Sequence, residues 1–209
     1  KESAMKKLLI ATLMAAAGWL GAAVSAQAAV LSIQPATSTT TVGGIVTVDL
    51  VISGLDADNE IVSGFDLDVF FDPAVLGVAS LTTVFAPWGS LGDLLLDQNF
   101  VAPGHVEFIL TAFNDDATLA GLQGDSFTLS SITFSGLADG FSLVNFGADL
   151  NFERNVVGRN ANSLPLTVQG ACIAVGTGTC DQKVPEPATL ALVLLGLAAA
   201  AVTRRRTRG

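Results

Sequence analysis

Tyrosine is absent from this 209-residue chain, histidine occurs once, and cysteine only twice. Each shortage removes a class of chemistry. His105 is the sole imidazole, so Cys172 and Cys180 lack the partners that a tetrahedral zinc site needs. Bases are scarce where a fold would lie: between Ala29 and Pro187 there are 18 acidic residues against 3 basic ones, a net charge of −15. Such a surface repels phosphate backbones and excludes nucleic acid as a partner. It is compatible with export, with cation association or with solubility alone. No G-x-S-x-G elbow, H-E-x-x-H pair, phosphate loop or dinucleotide fingerprint occurs. The middle also lacks any long segment of helical period, which excludes a bundle or an alternating α/β architecture.

What the chain has in excess is apolar character: half of its residues are hydrophobic, 14% are charged, and the mean hydropathy is +0.58. Much of that excess sits at the two ends. Lys6 and Lys7 precede an apolar run from Leu8 to Val24, followed by Ser25-Ala26-Gln27-Ala28. A basic stretch, an apolar stretch and small residues at Ala26 and Ala28 predict a secretory signal peptide over residues 1–28, cut after Ala28; a retained membrane helix is the alternative. Lys1 to Ala4, ahead of Met5, are assigned no structural role.

At the other end, Ala188 to Val202 is an uncharged run of 15 residues. As a helix it would span about 22 Å, short of the roughly 30 Å hydrocarbon core, with snorkelling arginines and local thinning covering the difference. A membrane helix is therefore expected over 188–203, with Arg204, Arg205, Arg206 and Arg208 as its cytoplasmic stop. Ahead of it stand Val184, Pro185, Glu186 and Pro187. The two prolines fix their own φ and push their predecessors toward extended backbone, and Glu186 resists entry into lipid. The segment outside the membrane is thus presented as an extended peptide, the shape proteases accept.

This order of Val-Pro-Glu-Pro, short aliphatic helix and arginine cluster resembles the PEP-CTERM sorting signal of exported Gram-negative proteins, over residues 184–209. The resemblance implies that the chain is the substrate of an exosortase-type membrane protease. That partner would cut near the motif and pass the domain to the cell surface or exopolysaccharide matrix, the membrane serving as a transient anchor. A permanent single-pass anchor is the alternative.

Between the ends, turn residues punctuate short β-type runs. Strands are predicted at Val30–Gln34, Ile45–Ile52, Gly64–Phe71, Val78–Val84, Val106–Ala112, Ser126–Phe134, Phe141–Phe146 and Leu164–Val168. In Gly64–Phe71 the period is two, with Phe65, Leu67, Val69 and Phe71 on one side and Asp66, Asp68 and Phe70 on the other. Asp72-Pro73 ends that run in a turn, and Leu91–Leu96 reads equally as a short helix or a loop. The pattern predicts an all-β, antiparallel β-sandwich over 29–170. A linker over 171–183 would follow, pinned by a disulfide between Cys172 and Cys180 around Gly176-Thr177-Gly178.

Val42-Gly43-Gly44 leading into IVTVDLVISGL, then VSGFDLDVFFDPAVLGV, then Gly124-Asp125-Ser126 leading into FTLSSITFSGL, resemble the strand pattern of cohesin-type domains, over roughly Leu31 to Val168. The resemblance implies a jelly-roll sandwich. It carries over no contact residues.

Candidates for chemistry are few. Asp56, Asp58 and Glu60, with Asn59 between them, and Asn114-Asp115-Asp116 offer hard oxygen ligands for calcium, although neither follows the EF-hand spacing; a polar turn is the alternative. Otherwise no cofactor is expected. Asp66 with Asp68, or Asp115 with Asp116, could serve a glycosidase, but acids at i and i+2 of one strand share a face and are expected to be solvated. His105 is expected at the surface or capping a loop, and Trp88 is expected as a ligand contact or as a plug for one end of the sandwich. The expectation is a non-enzymatic surface or matrix protein whose sandwich binds a surface protein, with a carbohydrate-binding module bound to polysaccharide as the alternative.

Overall fold

The computed structural model of the chain describes residues 28–56, 59–148 and 154–180. The signal segment with Ala26, the sorting residues Val184 to Pro187, the expected membrane helix over 188–203 and the terminal arginines lie outside the described residues, as does Asp58. Among the described residues no helix is long and apolar enough to cross a membrane. The chain divides after Thr179, the sandwich lying in the first unit and Cys180 opening the second.

Alternation of apolar and polar residues sets the strands. Ile45–Ser53 buries Val48, Leu50 and Ile52 while Thr47, Asp49 and Val51, alternating with them, are partly or fully exposed, as period two requires of a half-buried strand. Twelve strands are described: β1 (Ala29–Gln34), β2 (Thr37–Thr40), β3 (Ile45–Ser53), β4 (Gly64–Phe70), β5 (Leu76–Thr83), β6 (Leu94–Ala102), β7 (His105–Ala112), β8 (Ser126–Gly136), β9 (Gly140–Phe146), β10 (Arg154–Val157), β11 (Leu166–Gln169) and β12 (Ala171–Val175). One helix, α1 (Asp116–Leu122), joins β7 to β8.

The strands form two sheets. The first runs β11-β1-β3-β8-β5 and the second β2-β12-β9-β4-β7-β6, with β10 also paired to β4. The chain crosses from the first sheet to the second between β1 and β2, at the cis peptide Gln34-Pro35. Inward residues of both sheets make one core: Leu31, Leu50, Ile132 and Phe134 on one side meet Leu67, Val69, Phe108 and Ile173 on the other, and all are essentially solvent-free. Phe71 and Phe134 pack edge to face across it, ring centroids 5.0 Å apart, the geometry aromatic quadrupoles favour. The Asp72-Pro73 turn closes as expected, the Asp72 carboxylate accepting the Ala74 N–H at 2.9 Å.

The all-β sandwich is as predicted, with three differences. It is not purely antiparallel, because β1–β11 and β12–β2 are parallel pairs that lay the end of the domain against its beginning. Residues 171–175 are no linker: Ala171–Val175 is a strand buried along its whole length between β2 and β9. A strand covered on both faces shows no alternation, so ACIAV carries no period to read. Finally, Leu91–Leu96 splits, Leu91–Asp93 forming a 3-10 turn and Leu94 opening β6. Cys172 and Cys180 are joined as a disulfide, so the bridge anchors to a sheet strand.

Candidate functional site

Trp88 lies in a 3-10 turn, Ala86–Trp88, and is wholly buried. Its ring meets Phe65 of β4 at 5.7 Å and Phe127 of β8 at 5.6 Å, both edge to face. It therefore closes one end of the sandwich by bridging the two sheets. Asn114 donates to the Trp88 carbonyl at 2.9 Å, and Gln123 donates to the carbonyls of Pro87 and Val62. The expectation of Trp88 as a ligand contact is corrected: no part of the ring reaches solvent to meet a sugar.

The outer faces of the two sheets differ in chemistry. On the first sheet, small hydroxyl residues form a self-satisfied ladder, with Thr47 and Thr133 hydroxyls 2.9 Å apart and Ser131 donating to Asp49 at 2.6 Å. The second sheet instead exposes Phe141 (54%), Leu143 (43%) and Phe70 (37%). Phe141 and Leu143 alternate on β9 with buried Ser142 and Val144, and Phe70 is the outward residue at the end of β4, opposite Asn145 of β9. Leu95, on the edge strand β6, is 60% exposed. Phe70 stacks on the His105 ring, centroids 4.5 Å apart and planes 17° off parallel.

Acids share this face. The β4–β7 register sets Asp68 opposite Glu107 and Phe70 opposite His105, and the carboxylate oxygens of Asp66, Asp68 and Glu107 lie within 4.8 Å of one another. Asp68 is only 4% exposed, which corrects the expectation of solvated acids; His105 Nε2 pairs with its Oδ1. His105, expected at the surface or capping a loop, is partly exposed at the start of β7 and is engaged by Asp68. Asp66 is held above the ordinary carboxylate range by burial first, then by the negative charges of Glu107 and Asp68. Its Oδ1 is buried without a hydrogen-bond partner, and so is Oδ1 of Asn155, its register partner on β10. Beside them opens a groove of about 490 Å³ lined by Ser63, Gly64, Asp66, Thr111, Asp116 and Asn155, with apolar walls that include Ile109, Ala112 and Val157.

The other acids hold loops. Asp115 caps α1 by accepting the Thr118 N–H at 2.8 Å, which lowers its pKa. Asp116 accepts the Asn160 N–H, and the Glu60 carboxylate accepts the Arg159 N–H at 3.1 Å. Asp56 is exposed, and its backbone N–H donates to Asp125 at 2.9 Å. Among the described residues the acids brought together are thus Asp66, Asp68 and Glu107; the set expected for calcium, Asp56, Asp58 and Glu60, includes Asp58, which lies outside the described residues. Glu107 was missed because only the register of two strands far apart in sequence places it beside Asp68.

A family model described as the PEP-CTERM protein-sorting motif matches residues 183–206. Among curated proteins, none matches the chain. Among solved structures, the chain is similar to a type II cohesin domain from the cellulosome of Acetivibrio cellulolyticus at 20% identity and TM-score 0.59, covering 70% of this chain and 95% of that one. It is similar to a cohesin module of a family 33 glycoside hydrolase from Clostridium perfringens at 12% identity and TM-score 0.54, over 73% and 98%. A type I cohesin–dockerin complex from Clostridium thermocellum matches at 14% identity and TM-score 0.52, over 76% and 99%. The chain therefore carries a PEP-CTERM sorting motif at its C-terminal end and has a cohesin-like β-sandwich fold.

Proposed function

We propose that this chain is an exported, non-enzymatic surface or exopolysaccharide-matrix protein, sorted and cut through its PEP-CTERM motif, whose sandwich docks a protein partner through the outer face of the second sheet. The observation that carries the docking reading is the contrast between the two outer faces. Phe141 and Leu143 stand exposed on β9, and Phe70, stacked on His105, stands exposed beside a compact acidic group, whereas the first sheet carries a Thr and Ser ladder closed on itself, with Ile45 as the exposed apolar residue of β3. Aromatic anchors ringed by polar groups are the usual composition of a protein-binding patch. Several structural neighbours are cohesins, at least three of them crystallised with a dockerin, which agrees with this use of the fold without naming a partner.

The non-enzymatic reading is supported by the employment of the acids: Asp115, Asp116 and Glu60 accept backbone N–H groups, and His105 is paired with Asp68. The sorting motif supports a membrane-held exported precursor and an exosortase-type protease as its processing partner. The carbohydrate-binding alternative loses its anchor with the burial of Trp88.

The docking reading is tested by placing a photo-crosslinking amino acid at Phe141, or at Ile45 on the first sheet, in the native host. A discrete protein adduct from position 141 and none from position 45 is expected. Identical adducts from both positions would contradict the docking face. So would an absence of adducts together with retention of the protein on host polysaccharide.

A further inference from the structure

We propose that the groove between β4, β7 and β10 receives an arginine side chain of the docked partner, its guanidinium seated on Asp66 and Asn155; this rests on the docking reading above. Two buried acceptors, Asp66 Oδ1 and Asn155 Oδ1, have no donor. Both residues are partly buried and line the groove, so acceptors without a donor from the chain face a space that a donating ligand can enter. They sit on adjacent strands in register, so one planar fork with five N–H donors can serve both, which a single ammonium does less well.

Charge points the same way. Asp66 lines the groove, the carboxylate oxygens of Asp68 and Glu107 lie within 4.8 Å of its own, and among the described residues His105 alone forms an ion pair with any of the three. A domain with a net charge of −15 between Ala29 and Pro187 also steers basic segments toward itself. The cavity, about 490 Å³ and walled in part by Ile109, Ala112 and Val157, has room and apolar surface for the methylene stem of a long side chain. A bare divalent cation would make no use of those walls. Gly64 leaves the floor clear, and its close approach to the Leu110 carbonyl, which an added Cβ would meet at 2.7 Å, explains the absence of a side chain there.

The test is calorimetric titration of the full chain in detergent with an acetylated, amidated Leu-Arg-Leu peptide, with its norleucine counterpart, and with calcium chloride. Saturable binding of the arginine peptide is expected, weakened about tenfold or more in Asp66→Asn and in the norleucine peptide, and unchanged in Asp56→Asn. A thermal melt of Asp66→Asn at least as high as that of the natural protein establishes that the variant is folded. Equal binding of the two peptides would overturn the proposal, as would indifference to Asp66→Asn. Heat with calcium chloride but none with either peptide would also overturn it and assign the acids to a divalent cation. If the peptide fails while the Phe141 crosslink persists, the groove inference falls and the docking face stands; if the crosslink fails, the docking reading falls on its own measurement.

Discussion

Asp66 shows most clearly what one residue contributes here. Its carboxyl is held above the usual range by burial and by two neighbouring acids, so the folded protein binds this proton more tightly than the unfolded chain does. The linked stability is present at low pH and is lost as pH rises through the folded value. Asp66→Asn should therefore stabilise the free protein at pH 7, and the gain should vanish below pH 4, where the carboxyl is protonated in both states. Melting curves at the two pH values check this; a destabilised variant at pH 7 would mean that Asp66 has a donor in the free protein. Legibility was uneven at this scale. The outward placement of Asp66, Asp68 and Phe70 follows from period two alone. That Asp68 is buried under His105, and that Trp88 is buried at all, depends on partners some tens of positions away, which local sequence does not carry.

Among the elements, the eight strands with alternation or β-branched runs were readable to within a few residues. Those missed share physical causes. β12 is covered on both faces and shows no period; β2, TSTT, has no apolar residue to set one, and β10, RNVV, has its two apolar residues side by side rather than alternating; and β6 begins with three leucines, which fit a helix as well as a strand. Pairing was not readable at all, and it is pairing that assembles the acidic group, through the β4–β7 register. That register also explains Gly64, where a Cβ would come 2.7 Å from the Leu110 carbonyl oxygen. Gly64→Ala is expected to cost about 1–3 kcal/mol by forcing β4 and β7 apart. In urea titration this appears as a lower midpoint with an unchanged slope, and an unchanged midpoint would show that the two strands yield freely.

For the whole molecule, the ends and the middle are read by different physics. The address was legible because hydropathy, proline and arginine act locally, and the match over residues 183–206 agrees with it. The fold class was legible because a sandwich repeats one simple pattern. The face proposed for docking was not, since its residues come together only when β4, β7 and β9 lie side by side. The account's central claim is that the sandwich is carried out of the cell interior and released from its C-terminal tail. Intact-mass spectrometry of the protein recovered from the native host's surface and matrix tests it most directly. The account predicts a C-terminus within or close to Val184–Pro187, with Arg204 to Arg208 removed; an intact Arg208-Gly209 end on protein dissolved in the cytosol would contradict it.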